Sequence, residues 1–150
     1  MDEDQYRSVY REVNANRCVF EKALNNRRCD CSRHERFLLA TREAVGCLSE
    51  ASLANCTVFL DTLREKSRFA LRETLIDGPL PHNKELKVQA GGTLALQQHL
   101  FPEQIAAKTT QDIYELVNIA LSKYANIADF PYGELVKGVV HYESRPKRGK

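Results

Sequence analysis

The sequence predicts an all-α fold. Apolar residues recur at helical spacing along most of the chain, and no strand-like alternation is long enough to propose a sheet. The expected architecture is an antiparallel N-terminal helical unit carrying the cysteines, packed with a smaller C-terminal set of helices in one domain spanning 1–150. Short connections between the first three helices favour that antiparallel arrangement.

Tyr6, Val9, Tyr10 and Val13 form the first apolar stripe. Asn14-Ala15-Asn16 interrupts it, and Val19, Phe20, Ala23 and Leu24 resume it, so the first helix forms in one piece or two and ends near Arg28. Ser32-Arg33-His34-Glu35 fits a capping box and predicts the start of a second helix. Phe37, Ala40, Ala44, Cys47 and Leu48 would line that helix, with Gly46 and Ser49 near its end. The third helix has the strongest periodicity, through Leu53, Cys56, Leu60, Leu63, Ser67, Ala70 and Leu71, and is expected to reach Leu75. These helices fill about residues 3–76.

Gly78, Pro79 and Pro81 mark a linker over 77–86, followed by C-terminal helices over 87–143. "ELKVQ" fits a short extended piece. Gly91-Gly92-Thr93 reads as a turn with a Thr cap, opening a short helix over 93–100; it lacks the lysine and spacing of a P-loop. Thr109 or Thr110 would cap an amphipathic helix lined by Ile113, Leu116, Val117, Ala120, Leu121 and Tyr124. A last helix after Pro131 carries Leu135, Val136, Val139 and Val140, and a basic tail over 144–150, with Arg145, Lys147, Arg148 and Lys150, is expected to be disordered.

Composition narrows the function. A net charge of +2 gives no footprint for nucleic acid, which is not an expected partner. The acidic start "MDEDQYRSVY" lacks the features of a secretory signal, and no apolar run approaches a membrane span. A cytoplasmic protein without a membrane partner is therefore expected. There thiols stay reduced, so clustered cysteines point to metal or redox chemistry more than to disulfides.

All five cysteines, Cys18, Cys29, Cys31, Cys47 and Cys56, lie in the first 56 residues. Thiolates are the usual ligands of iron–sulfur clusters and common ligands of zinc. Four of the five would suffice, and His34 could replace one. The spacing contains no Cys-x-x-Cys knuckle. A continuous helix from Arg33 to Cys47 would be about 22 Å long and would hold Cys31 and Cys47 apart at its two ends. Cys18, Cys47 and Cys56 can approach one another, whereas Cys29 or Cys31 joins them only if the segment from about residue 25 to 36 folds back. The site thus depends on whether the second helix starts at Arg33 or later.

Two other readings compete. Cys31 at a helix N-terminus among Arg27, Arg28, Arg33 and Arg36 would be a polarised thiol, able to pair with Cys29 or to act in sensing. Cys47 and Cys56 could instead be small core residues, with the protein a metal-free helical adaptor offering an apolar groove beyond the linker. The arginines read as a mixed-charge surface rather than an anion site, because Asp30 and Glu35 are interspersed. His82, His99 and His141 lack partners at a recognisable spacing; Asp61, Glu65 and Arg68 read as helical surface pairs, and no Glu-x-x-His di-iron motif occurs. No catalytic constellation emerges. The expected function is a small cysteine-ligated metalloprotein holding an iron–sulfur cluster, [4Fe–4S] being favoured and zinc the alternative. It would serve electron transfer, cluster handling or redox-dependent regulation of a protein partner.

Overall fold

The computed structural model describes residues 2–74 and 78–143. Among the described residues the fold is mostly helical with one two-stranded sheet. Its elements are α1 (Glu3–Val13), α2 (Glu21–Asn25), β1 (His34–Leu39), β2 (Arg42–Cys47), α3 (Glu50–Arg68), α4 (His82–Leu86), α5 (Gly92–Leu100), α6 (Ile113–Tyr124) and α7 (Tyr132–His141). Leu75, Asp77 and the basic tail lie outside the described residues.

The expected second helix is a β-hairpin, which corrects the all-α reading. His34 pairs with Cys47 and Leu39 with Arg42 in an antiparallel register. The two-residue connection Ala40–Thr41 places Ala40 at a positive φ of 56°. The hairpin has both faces occupied. Leu39 and Ala44 pack with Tyr10 of α1, while Val45 enters the main core. The apparent capping box does not form: the Ser32 N–H donates to the Asp112 carboxylate at 3.0 Å, and Glu35 lies in β1.

The first helix is two pieces, as its asparagine interruption allows. Between them, the chain runs along β2: Cys18 N–H donates to Val45 C=O at 2.9 Å, and Cys47 N–H to Asn16 C=O at 2.7 Å. The junction is tied by buried polar groups. Glu21 accepts from Arg17, from the Tyr10 hydroxyl and from the Val45 N–H, while Asn14 donates to Tyr10 and to Val45 C=O. Gly46 permits this approach, since a Cβ there would stand 2.6 Å from Asn14 Oδ1.

The main core joins Phe20 and Leu24 to Phe59, Leu60 and Leu63 of α3, and to Leu96, Leu116, Leu135 and Val139 beyond. The third helix ends at Arg68, short of Leu75. The expected linker is already helical from His82. Helix α4 passes through a π-helical turn, Lys87–Gly91, directly into α5, so neither "ELKVQ" nor Gly91-Gly92-Thr93 breaks the helix. The glycines serve packing: a Cβ on Gly138 would meet Ala95 Cβ at 2.4 Å, and one on Gly91 would meet Tyr142 Cβ at 2.8 Å. Helices α5 and α7 therefore approach closely. Asp112, not either threonine, caps α6 by accepting from the Glu115 N–H.

A buried charge network anchors the start of α4. Glu85, 1% exposed, accepts from Arg64 Nη2 at 2.9 Å, Gln89 Nε2 at 2.7 Å and the Leu80 N–H at 2.9 Å. Burial raises the Glu85 pKa, but hydrogen bonds from Arg64, Gln89 and Leu80 outweigh it and leave the carboxyl below its ordinary value. No helix among the described residues is long and apolar enough to cross a membrane.

Candidate cysteine site

Replacing a helix by a hairpin reverses the geometric objection to Cys31. In a helix Cys31 and Cys47 would lie at opposite ends. In the hairpin His34 faces Cys47 across the sheet, so Cys31, three residues before His34, returns to the same end. The Leu48 N–H donates to Arg33 C=O at 2.8 Å and extends this pairing.

The segment "RRCDCSR" folds back against the chain leading into α6. Asp30 N–H donates to Thr110 C=O, and Ile113 N–H donates to Asp30 C=O, both at 2.9 Å. Cys29 pairs with Thr110 in a parallel bridge. Cys31 thereby reaches the first turn of α6, where its sulfur accepts from the backbone N–H groups of Arg33 and Tyr114. A cysteine at a helix N-terminus is thus present, but the helix is α6 rather than one beginning at Arg33.

Four thiols share one small void of about 20 Å³, lined by Cys18, Cys31, Cys47 and Cys56 with Phe20 and Ile113. They come from four places: the loop before α2, the loop facing α6, the end of β2 and the second turn of α3. Cys29 is buried but lines a different groove, with Asp30, His34 and Thr110. His34 also lies away from the void, its ring nitrogen Nδ1 close to Cys31 C=O.

Burial dominates the electrostatics. It pushes the Cys18 thiol up to about 12, against a hydrogen bond from the Phe20 N–H. Cys31 is raised by burial despite its two N–H donors. Cys56 and Cys29 are raised first by burial and then by the neighbouring thiols. Cys47 Sγ donates to Ser49 C=O at 3.2 Å. All five cysteines are free, so no Cys29–Cys31 disulfide is formed. For Cys31 burial raises the pKa against its N–H donors, the direction opposite to that expected of a polarised thiol.

Among the described residues, no group of three or more Cys, His, Asp or Glu side chains is arranged as it stands to hold a metal ion. The thiols surround the void without converging at ligand spacing.

The surrounding arginines do not form one anion site. Arg27 pairs with Glu43, Arg36 donates to Leu24 C=O, and Arg33 stacks over the Tyr114 ring with its guanidinium carbon 4.6 Å from the centroid. Arg28 lies 5.9 Å from the Tyr142 ring centroid. The mixed-charge reading of this stretch accounts for these contacts. Sequence reasoning missed the N–H donors at Phe20, Arg33 and Tyr114, which carry no side-chain signal. No known family model matches the chain, and neither does any curated protein or solved structure.

Proposed function

We propose that the protein is a cysteine-ligated metalloprotein whose centre is an iron–sulfur cluster held by Cys18, Cys31, Cys47 and Cys56. The observation that carries this reading is that four thiols, from four separate segments, line one shared void. An all-sulfur donor set suits soft metals and iron–sulfur clusters. Backbone N–H donors at two of the sulfurs would stabilise thiolates that burial alone disfavours, and hydrogen bonds to cluster sulfurs are one lever on reduction potential. Cys29 is left out of the ligand set.

A [4Fe–4S] cluster is the favoured form on its all-cysteine donor set; the missing Cys-x-x-Cys spacing sets the chain apart from the usual ferredoxin and zinc motifs alike. Electron transfer, cluster handling or redox-dependent control of a protein partner are its proposed uses, with the cytoplasm as its compartment. Zinc is the second reading, favoured by one observation: the void of about 20 Å³ has room for one small atom, so a single ion fits with less displacement of Phe20 and Ile113 than a cluster does. Either centre would tie together the loop before α2, the hairpin, α3 and the approach to α6, coupling stability to metal.

Anaerobic purification followed by iron, zinc and sulfide analysis tests the reading. Iron with matching sulfide supports the cluster, and one zinc per chain supports the alternative. A chain that carries neither and takes up neither on reconstitution is metal-free, as the adaptor and thiol-sensor readings require.

A further inference from the structure

A second cavity adjoins the cysteine site and shares one residue with it. A groove of about 590 Å³ runs between α2, Arg64 of α3 and the π-helical turn; Cys18 lines both this groove and the sulfur void. Its size is that of a small-molecule site.

The charges in the groove are unequal. Arg17, Lys22 and Arg64 supply cations, and Glu21 and Glu85 supply carboxylates. Both carboxylates are already engaged. Glu21 takes Arg17, Tyr10 and the Val45 N–H; Glu85 takes Arg64, Gln89 and the Leu80 N–H. Gln89 is likewise fixed, accepting from the Ala23 N–H at 3.0 Å. This leaves Lys22, a partly exposed residue, as the groove's cation with no side-chain partner among the described residues. Asn25 and Asn26 stand beside it on the rim. Gln89 lies in the π-helical turn, buried against the groove, and such turns recur at functional sites.

We propose that this groove binds a small molecule bearing an oxyanion, phosphate or carboxylate, on Lys22, and holds it against the Cys18 side of the metal centre. The second half rests on the proposed metal site; the groove itself does not. An ammonium without a fixed partner in a concave, otherwise neutralised setting is a point-charge donor for such a group. An occupant there would lie beside Cys18.

Calorimetric titration of the full-length protein as purified under anaerobic conditions tests this, with inorganic phosphate and succinate as separate probes, each against chloride at equal ionic strength. The expected result is saturable heat with one probe, weakened about tenfold by Lys22→Gln, the loss of one charge-assisted contact. Lys137→Gln on α7, whose ammonium meets Glu134, leaves binding unchanged. Saturation by phosphate identifies a phosphoryl ligand and saturation by succinate a carboxylate. No saturable heat beyond chloride, or heat unaffected by Lys22→Gln, overturns the proposal. If the chain carries no metal while Lys22-dependent binding persists, the metal reading has failed and the groove stands. In iron-loaded protein, or with cobalt in place of zinc, an unchanged visible spectrum at saturation overturns the placement against Cys18.

Discussion

Removing the Glu85 side chain tests how the chain after α3 is fastened to the core. Glu85→Ala deletes the acceptor for three donors: the Arg64 guanidinium, the Gln89 amide and the Leu80 N–H. Arg64 is only 14% exposed and would keep one contact, to Asp61 at the surface. Removing one partner of a buried ion pair costs roughly 3–5 kcal/mol, because the remaining charge stays desolvated. A domain of this size has a total stability of about 5–15 kcal/mol, and each kilocalorie moves its midpoint by about 2–4 °C. The expected loss in melting temperature is therefore roughly 6–20 °C, read by circular dichroism and checked by urea unfolding. The double variant Glu85→Ala/Arg64→Met should recover part of the loss, since it removes the orphaned charge. The pH dependence has a definite sign. The Glu85 carboxyl is lowered in the fold, so its contribution is complete above the ordinary carboxylate range and is lost as pH falls through its depressed value. Wild type should lose stability at acid pH more steeply than the variant. A loss under about 1 kcal/mol, or no recovery in the double variant, would refute the account of this network.

In metal-free protein, Cys18 should alkylate with iodoacetamide about a thousandfold more slowly at neutral pH than a free thiol. Its rise from 9.0 to about 12 cuts the thiolate by three powers of ten; labelling at the free-thiol rate, followed by mass spectrometry, would contradict its burial. Gly46→Ala should destabilise by about 1–3 kcal/mol, because the new Cβ would meet Asn14 Oδ1 at 2.6 Å; equal urea midpoints would show that the Asn14–Tyr10 junction yields freely. If a metal binds the folded chain only, loading at 100 times its dissociation constant should add about 2.7 kcal/mol, and a chelator should reverse the gain in melting temperature.

Helices α3, α6 and α7 are legible in the sequence because each buries one stripe against one core. The hairpin is not, for two physical reasons. Its turn uses Ala40 at a positive φ in place of the Asn-Gly or Asp-Gly that marks such turns. Its faces pack in opposite directions, Ala44 onto α1 and Val45 into the main core, so neighbouring residues are both buried and the alternation disappears. Phe37, Ala40 and Ala44 then imitate helical spacing. The unbroken helix from His82 to Leu100 was hidden by Gly91 and Gly92, whose small size answers to Tyr142 and Leu63 rather than to a turn. The spacing predicts an approach of Cys18, Cys47 and Cys56 through antiparallel helices; they line one void instead because the chain before α2 runs along β2. The choice between Cys29 and Cys31 was not legible, because it is made by pairing with residues 110–113, some eighty positions away.

The contrast between those two cysteines is the sharpest test of the metal-site account. Wild type, Cys31→Ser and Cys29→Ser, each purified anaerobically and reconstituted with iron and sulfide, are compared by bound iron and sulfide per chain. The account predicts cluster in wild type and in Cys29→Ser, and loss or marked instability of it in Cys31→Ser. Equal loading of all three, no loading in any, or loss in Cys29→Ser alone would contradict it.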